Sequence, residues 1–268
     1  AWQLVCLNQF HDIIPGSSIG PVYHESLEQY EQVKRITQEV IEDSLDVITQ
    51  KLSCNNVLVN PTSFLRNELY ETNGLNHPVR GIEPYSIQVL PDDLKTGLDQ
   101  FHVDKSASRV SCSPRHLEND LLRVELNLQG DIISIFDKRE KRELLPPDAV
   151  ANQFLAFEDI PLSWDAWDID IFYDDKVWFS EPAKKIETSE MGPYRCAVKL
   201  ERQILNSTYT QIISLDYNKP RLDFYTKIDW KERQTLLKVA FPLNILSPTA
   251  TYEIQWGNVE RPTHHNTS

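Results

Sequence analysis

Two hydrophobic periods divide the chain. In residues 21–52 apolar side chains recur at Tyr23, Leu27, Tyr30, Val33, Ile36, Val40, Ile41, Leu45, Ile48 and Leu52, and no glycine interrupts them. Steps of three and four return to the same side of an α-helix, so this spacing predicts one long amphipathic helix. Glu25, Gln32, Glu39, Glu42 and Asp46 lie on its opposite face. A stripe of that length needs a cover. The only other helical stretch is short, residues 1–12, ending near Asp12 ahead of the turn Pro15-Gly16-Ser17-Ser18. The expectation is that partner helices lie outside this sequence, or that β structure or a second copy of the chain covers the stripe.

After Cys54 the period changes to alternation. Residues 56–60 (NVLVN), 64–72 (FLRNELYET) and 85–90 (YSIQVL) read as strands. Leu122, Val124 and Leu126 alternate with Arg123, Glu125 and Asn127, and Gln129-Gly130 then turns the chain into DIISIFDK, a hairpin signal. Leu222, Phe224, Thr226, Ile228 and Trp230 alternate with Asp223, Tyr225, Lys227 and Asp229. Further strands are expected at about 195–205, 208–217, 234–242 and 249–257. Many strands without intervening helices indicate an antiparallel β-sandwich. The fold class is therefore mainly β with an N-terminal helical segment. The polar stretch 91–109 is the weakest boundary, which divides the chain into a helical segment 1–53, a small β unit 54–108 and a large sandwich 109–268.

Composition narrows the function. In 268 residues, 27 Lys and Arg face 40 Asp and Glu, a net charge of −13. That surface disfavours nucleic acid and anionic membrane as partners and leaves neutral or cationic ligands. No stretch approaches the ~20 apolar residues of a membrane span. Cys6, Cys54, Cys112 and Cys196 form no CxxC pair and read as free thiols of a reducing compartment. The only methionine is Met191, the first helix begins without a capping residue, and RPTHHNTS stops without a breaker. These features lead to the expectation of a piece of a longer protein. With eight glycines and no phosphate loop, GxSxG or HExxH, nucleotide folds and the common hydrolase signatures are not supported.

Three segments could carry chemistry. In LNQFHDIIPGSS, His11 and Asp12 sit where a helix gives way to a turn, so imidazole and carboxylate can point into a cleft. Imidazole is a common zinc ligand and a neighbouring carboxylate can orient it or bind a sugar hydroxyl. The bland alternative is a helix-terminal histidine beside a solvated aspartate. In residues 157–175, FEDIPLSWDAWDIDIFYDD, Trp164 and Trp167 interleave with Asp165 and Asp168. Aromatic faces stack on the C–H faces of sugar rings while carboxylates accept from hydroxyls. The alternative is a sheet edge with core tryptophans and turn-forming aspartates. In the last segment, 253–268, Arg261, His264, His265 and Asn266 could bind a ligand or form a polar strand-end loop. The sequons at Asn206 and Asn266 are discounted without a secretory signal.

These segments, in this order, resemble the family 38 glycoside hydrolases, the α-mannosidases. LNQFHDIIPGSSI is similar to the helix end that delivers one ligand of that family's catalytic zinc. NQFLAFEDIPLSWDAWDIDIFYDDKVW and ATYEIQWGNVERPTHHNTS resemble segments of its cytosolic-type branch, and ENDLLRVELNLQGDIISIFDKREKREL resembles the first long hairpin of its large β region. The resemblance implies part of a three-helix bundle followed by a galactose mutarotase-like supersandwich. It implies His11 as a zinc ligand and Asp12 as a contact to mannose hydroxyls, with Trp164, Asp165, Trp167 and Asp168 near the mouth of the site. It also implies an upstream domain carrying the nucleophile, the acid/base and the other zinc ligands, none of which has a counterpart here. Retaining hydrolysis of α-mannoside oligosaccharides in the cytoplasm would follow for the parent, and inactivity for this piece alone. A homo-oligomer stays open. The competing readings are a free-standing carbohydrate-binding sandwich with Trp164 and Trp167 as platform, and an interaction module without ligand.

Overall fold

A computed structural model describes residues 1–72, 75–90, 110–254 and 257–264. The expected boundary at 91–109 and the candidates His265 and Asn266 lie outside the described residues.

The chain opens with α1, Trp2–Asn8, followed after a turn by α2, Gly20–Leu52. α1 ends four residues short of Asp12. Residues 10–16 instead form overlapping turns, with Ile13 and Ile14 N–H donating to the Phe10 carbonyl and Gly16 N–H to that of Ile13. Gly16, at φ +90°, takes the left-handed conformation that closes the turn. α2 starts where the pattern predicts. Ile19 is extended, and Pro21 in the first turn has no N–H to leave unpaired. It ends on Ser53 in the left-handed region, with Ser53 N–H donating to Gln50 and Cys54 N–H to Thr49, a Schellman closure. α1 docks on α2 through Asn8, whose buried amide donates to the Leu4 carbonyl at 2.8 Å and to Gln29 Oε1 at 2.7 Å.

Among the described residues, β structure does not bury the stripe of α2, which leaves partner helices outside this sequence or a second copy as the expected covers. No residue of α2 is buried. Val33, Ile36, Leu45 and Ile48 are half-covered, while Leu27, Tyr30, Val40, Ile41 and Leu52 are exposed.

The rest of the described chain is mainly antiparallel β structure. β1 (Asn56–Asn60) pairs with β4 (Ser86–Leu90), and β2 (Arg66–Thr72) with β3 (Leu75–Ile82). Buried Asn60 ties the two pairs together, donating to the carbonyls of Phe64, Ile82 and Glu83 and accepting from Thr62 N–H. The sandwich has one sheet of five strands in sequence order: β5 (Val110–Ser113), β6 (His116–Asn119), β7 (Leu122–Leu126), β8 (Ile132–Asp137) and β9 (Arg142–Glu143). The second sheet also runs in sequence order: β12 (Lys185–Met191), β13 (Arg195–Ile204), β14 (Ser207–Asp216) and β15 (Leu222–Asp229). Leu117, Leu122, Val124, Leu126 and Ile132 from the first sheet meet Cys196, Val198, Leu200, Ile213 and Leu215 from the second in one buried cluster. Alternation thus buries one face of each sheet against the other.

The Gln129-Gly130 turn is held to the second sheet. Gly130 has φ +87°, and a Cβ there would come within 3.1 Å of Ala183 Cβ. Buried Arg202 donates to the Gln129 carbonyl and to Asp131 Oδ1. Three further strands, β11 (Val177–Phe179), β10 (Gln153–Glu158) and β16 (Thr235–Ala240), form a separate sheet with β10 in the middle. The hairpin of β17 (Thr249–Ile254) and β18 (Gly257–Pro262) follows. Because β10 and β11 are antiparallel neighbours, the Trp–Asp segment between them must loop out of the sheet and return.

Candidate functional site

That loop and the α1–α2 turn form opposite walls of a cleft of about 780 Å³. His11, Asp12, Ser17, Ser18, Ile19 and Val22 line one side, and Trp164, Asp165, Trp167 and Asp168 line the other. Side chains about 150 positions apart in sequence are brought together.

The first wall is built from short contacts. Ser18 Oγ donates to the Asp12 carbonyl at 2.6 Å, and Ser18 N–H donates to the Tyr23 hydroxyl at 2.7 Å. The first turn of α2 therefore fixes the turn that carries His11 and Asp12. His11 Nε2 lies 3.7 Å from Asp12 Oδ2, with both side chains largely in solvent. An ion pair that open contributes little to stability. Phe10 packs beside the His11 ring at 4.3 Å between centroids.

The second wall is a tight loop. The Trp164 carbonyl accepts from Trp167 N–H at 2.8 Å and from Asp168 N–H at 3.0 Å. Trp164 and Ala166 both take left-handed backbone, φ 60° and 63°. For a residue as bulky as tryptophan this is uncommon and strained, and such strain persists only when neighbouring contacts impose it. Asp170 Oδ2 accepts from Leu162 N–H at 3.0 Å and so staples the loop's base. Below it, Tyr173 packs edge-on against Phe157 of β10, and its hydroxyl accepts from Lys238 Nζ of β16 at 2.6 Å. The loop stands on the three-stranded sheet and projects its tip.

The tip is in solvent: Trp164 is 73% and Trp167 51% exposed, so neither belongs to the core of this chain. Trp167 crosses the cleft edge-on to His11, at 6.1 Å between ring centroids. Two aromatic faces, three carboxylates, an imidazole and two serine hydroxyls thus share one concavity. Such a surface can stack a sugar ring and accept hydrogen bonds from its hydroxyls.

The sequence reading did not single out Ser17, Ser18, Ile19 and Val22. The only signal for them was the turn directly after the His-Asp pair. Arg261 and His264 lie outside this cleft, and the Arg261 guanidinium stacks over the Tyr252 ring at 5.7 Å across the β17–β18 hairpin. Among the described residues no group of three or more His, Cys, Asp or Glu is arranged to hold a metal ion. Structural and catalytic zinc alike take at least three protein ligands. His11 with its neighbour Asp12 does not meet that requirement.

Residues 117–268 match the glycosyl hydrolases family 38 C-terminal domain, and residues 1–48 match the alpha mannosidase middle domain. The chain belongs to glycosyl hydrolase family 38. It is similar along its whole length to Alpha-mannosidase 2C1 of Mus musculus (31% identity over 281 residues) and of Homo sapiens (31% over 280), covering 26% of each. It is also similar to Alpha-mannosidase of Saccharomyces cerevisiae, at 31% over 287 residues and 24% of that protein. The chain therefore spans about a quarter of the length of these relatives.

Proposed function

We propose that the chain is the cleft-forming part of a retaining, zinc-dependent α-mannosidase acting on terminal α-linked mannose of oligosaccharides. One observation carries the reading: His11 and Asp12 share a single cleft with the Trp–Asp loop, in a chain whose relatives are named alpha-mannosidases. Trp167 stacks on the apolar face of a mannose ring. Asp12, Asp165 and Asp168 accept from its hydroxyls, and Trp164 extends the platform outward. His11 is one donor to a zinc ion whose other ligands come from outside this sequence.

A retaining glycosidase needs two carboxyl groups about 5–5.5 Å apart, one of them shielded enough to act as an acid. Asp165 and Asp168 are exposed and do not have that setting. We assign the nucleophile and the acid/base to an upstream domain of the same protein, so this chain alone hydrolyses nothing. The reading divides the chain into a helical segment 1–53, a small β unit 54–108 and a sandwich 109–268. It places the protein in the cytoplasm, in keeping with four unbridged cysteines.

The test is hydrolysis of an aryl α-mannoside by the full-length parent, its Trp167→Ala variant and the chain alone. The expected result is an inactive chain and a folded variant with KM raised about tenfold, as the loss of one stacking contact implies. Activity in the chain alone that disappears in Asp165→Asn or Asp168→Asn would make the Trp–Asp loop the catalytic centre. The exposure of both tryptophans also favours a second reading, a binding module that holds mannose oligosaccharides without catalysis. Calorimetric titration of the chain with mannose oligosaccharides gives saturable binding if that reading holds.

A further inference from the structure

Away from the cleft, the chain carries two thiols in one place. Cys112 lies on β5 of the five-stranded sheet and Cys196 on β13 of the four-stranded sheet. Both belong to the apolar cluster between the sheets, Cys196 fully buried and Cys112 half-buried at its margin. Their hydrogen bonds cross over. Cys196 Sγ donates to the carbonyl of Ser111, the residue before Cys112, at 3.7 Å. Cys112 Sγ donates to the carbonyl of Glu190 at 3.5 Å, and Glu190 pairs with Ala197, the residue after Cys196. Each sulfur is thus held against the partner cysteine's stretch of chain.

We propose that Cys112 and Cys196 form a latent dithiol that closes into an inter-sheet disulfide when the chain meets a low-molecular-weight disulfide such as oxidised glutathione. Cys112 reacts first, because its sulfur is the accessible one. Its thiol loses a proton to solvent and attacks one sulfur of glutathione disulfide. That S–S bond breaks, and one glutathione leaves as thiolate and takes up a proton. Cys196 then loses its proton and attacks the Cys112 sulfur of the mixed disulfide, expelling the second glutathione. The protein is oxidised by two electrons, and one glutathione disulfide becomes two glutathione thiols. Burial, reinforced by the neighbouring Cys112, pushes the Cys196 thiol well above its ordinary range. The second step is therefore the slow one and requires a brief local opening of β5. The product ties β5 to β13 across a long loop of intervening chain, which constrains the unfolded ensemble.

The experiment incubates the full chain with oxidised glutathione, unfolds it in N-ethylmaleimide and maps the peptides. Peptide mapping should show one cross-linked peptide joining Cys112 to Cys196, with Cys6 and Cys54 carrying either the label or glutathione. The melting temperature should rise by roughly 5–10 °C and return to its starting value with dithiothreitol. Cys196→Ala should instead hold a stable glutathione adduct on Cys112. Four labels after oxidation, a persistent adduct on wild-type Cys112, or a cross-link through Cys6 or Cys54 would overturn the proposal. Mapping of the wild-type chain decides the matter whether or not the variant folds.

Discussion

The sandwich and α2 use the same apolar residue types to opposite ends. Along β7, Leu122, Val124 and Leu126 are buried, and Val198 and Leu200 of β13 meet them from the other sheet. Along α2, a stripe of equal regularity leaves Leu27, Val40 and Ile41 in solvent. Periodicity states which face of an element is apolar and says nothing about whether the same chain supplies its cover. Two sheets of alternating strands are complementary to each other, so the sandwich closes on itself. Among the described residues the long helix has one short helical neighbour, and none of its own residues is buried. Large exposed apolar faces mark interaction surfaces in folded proteins, which is the physical content of the stripe.

Leu200→Ala sharpens this contrast most. Leu200 is 0% exposed, and its truncation should cost about 2–5 kcal/mol and lower the melting temperature by roughly 5–15 °C. Asn8→Ala tests the contact between α1 and α2. It removes both amide hydrogen bonds and leaves Gln29 Oε1 without this donor, an expected loss of about 1–2 kcal/mol, seen as faster amide exchange in α1. If α1 exchange is unchanged, the contact does not anchor the helix.

A third test uses pH. Asp137, at the end of β8, accepts from the Arg139 guanidinium and from the backbone N–H of Arg139 and Glu140, and its pKa falls to about 2. A depressed carboxylate pKa stabilises the fold above the unfolded value near 4. That contribution is lost as pH drops from about 4 through 2. Melting temperature against pH should therefore fall less steeply between pH 4 and pH 2 in Asp137→Asn than in the wild type. Parallel curves would remove Asp137 from the acid response. The smallest effect is expected at Val40→Ala, 61% exposed on α2, within about 0.5 kcal/mol of wild type by thermal melting. A loss comparable to that of Leu200→Ala would show that a second copy covers the stripe in solution.

Much of the fold was legible because its signals are local. The alternation around Val124 and the Gln129-Gly130 turn both became structure, and the glycine is required there by its positive φ and by Ala183. α2 runs almost as its spacing predicts, whereas α1 stops at Asn8 and its backbone passes into tight turns, with Phe10 N–H donating to Leu7 and Ile13 N–H to Phe10, a change that spacing cannot register. At the candidate site, residue chemistry pointed to His11, Asp12, Trp164, Asp165, Trp167 and Asp168, which the fold brings around one cavity. Ser18 and Val22 escaped notice because their part comes from a turn pinned by Tyr23. The left-handed backbone at Trp164 has no sequence signature, since tryptophan seldom adopts it. Arg261 carried the right chemistry for a ligand and instead stacks on Tyr252, a choice made by strand pairing.

The hydrogen bond from Ser18 N–H to the Tyr23 hydroxyl makes α2 a lever. Its 33 residues reach about 50 Å at 1.5 Å per residue, and Ile19 and Val22 at its near end are part of the cleft wall. A tilt of about 5° pivoting at Leu52 would displace that wall by roughly 4 Å, comparable to a heavy-atom contact distance. The Trp–Asp loop is braced on a different sheet through Tyr173 and Lys238, so it would not travel with the helix. A partner gripping the far half of α2 would therefore change how wide the cleft stands.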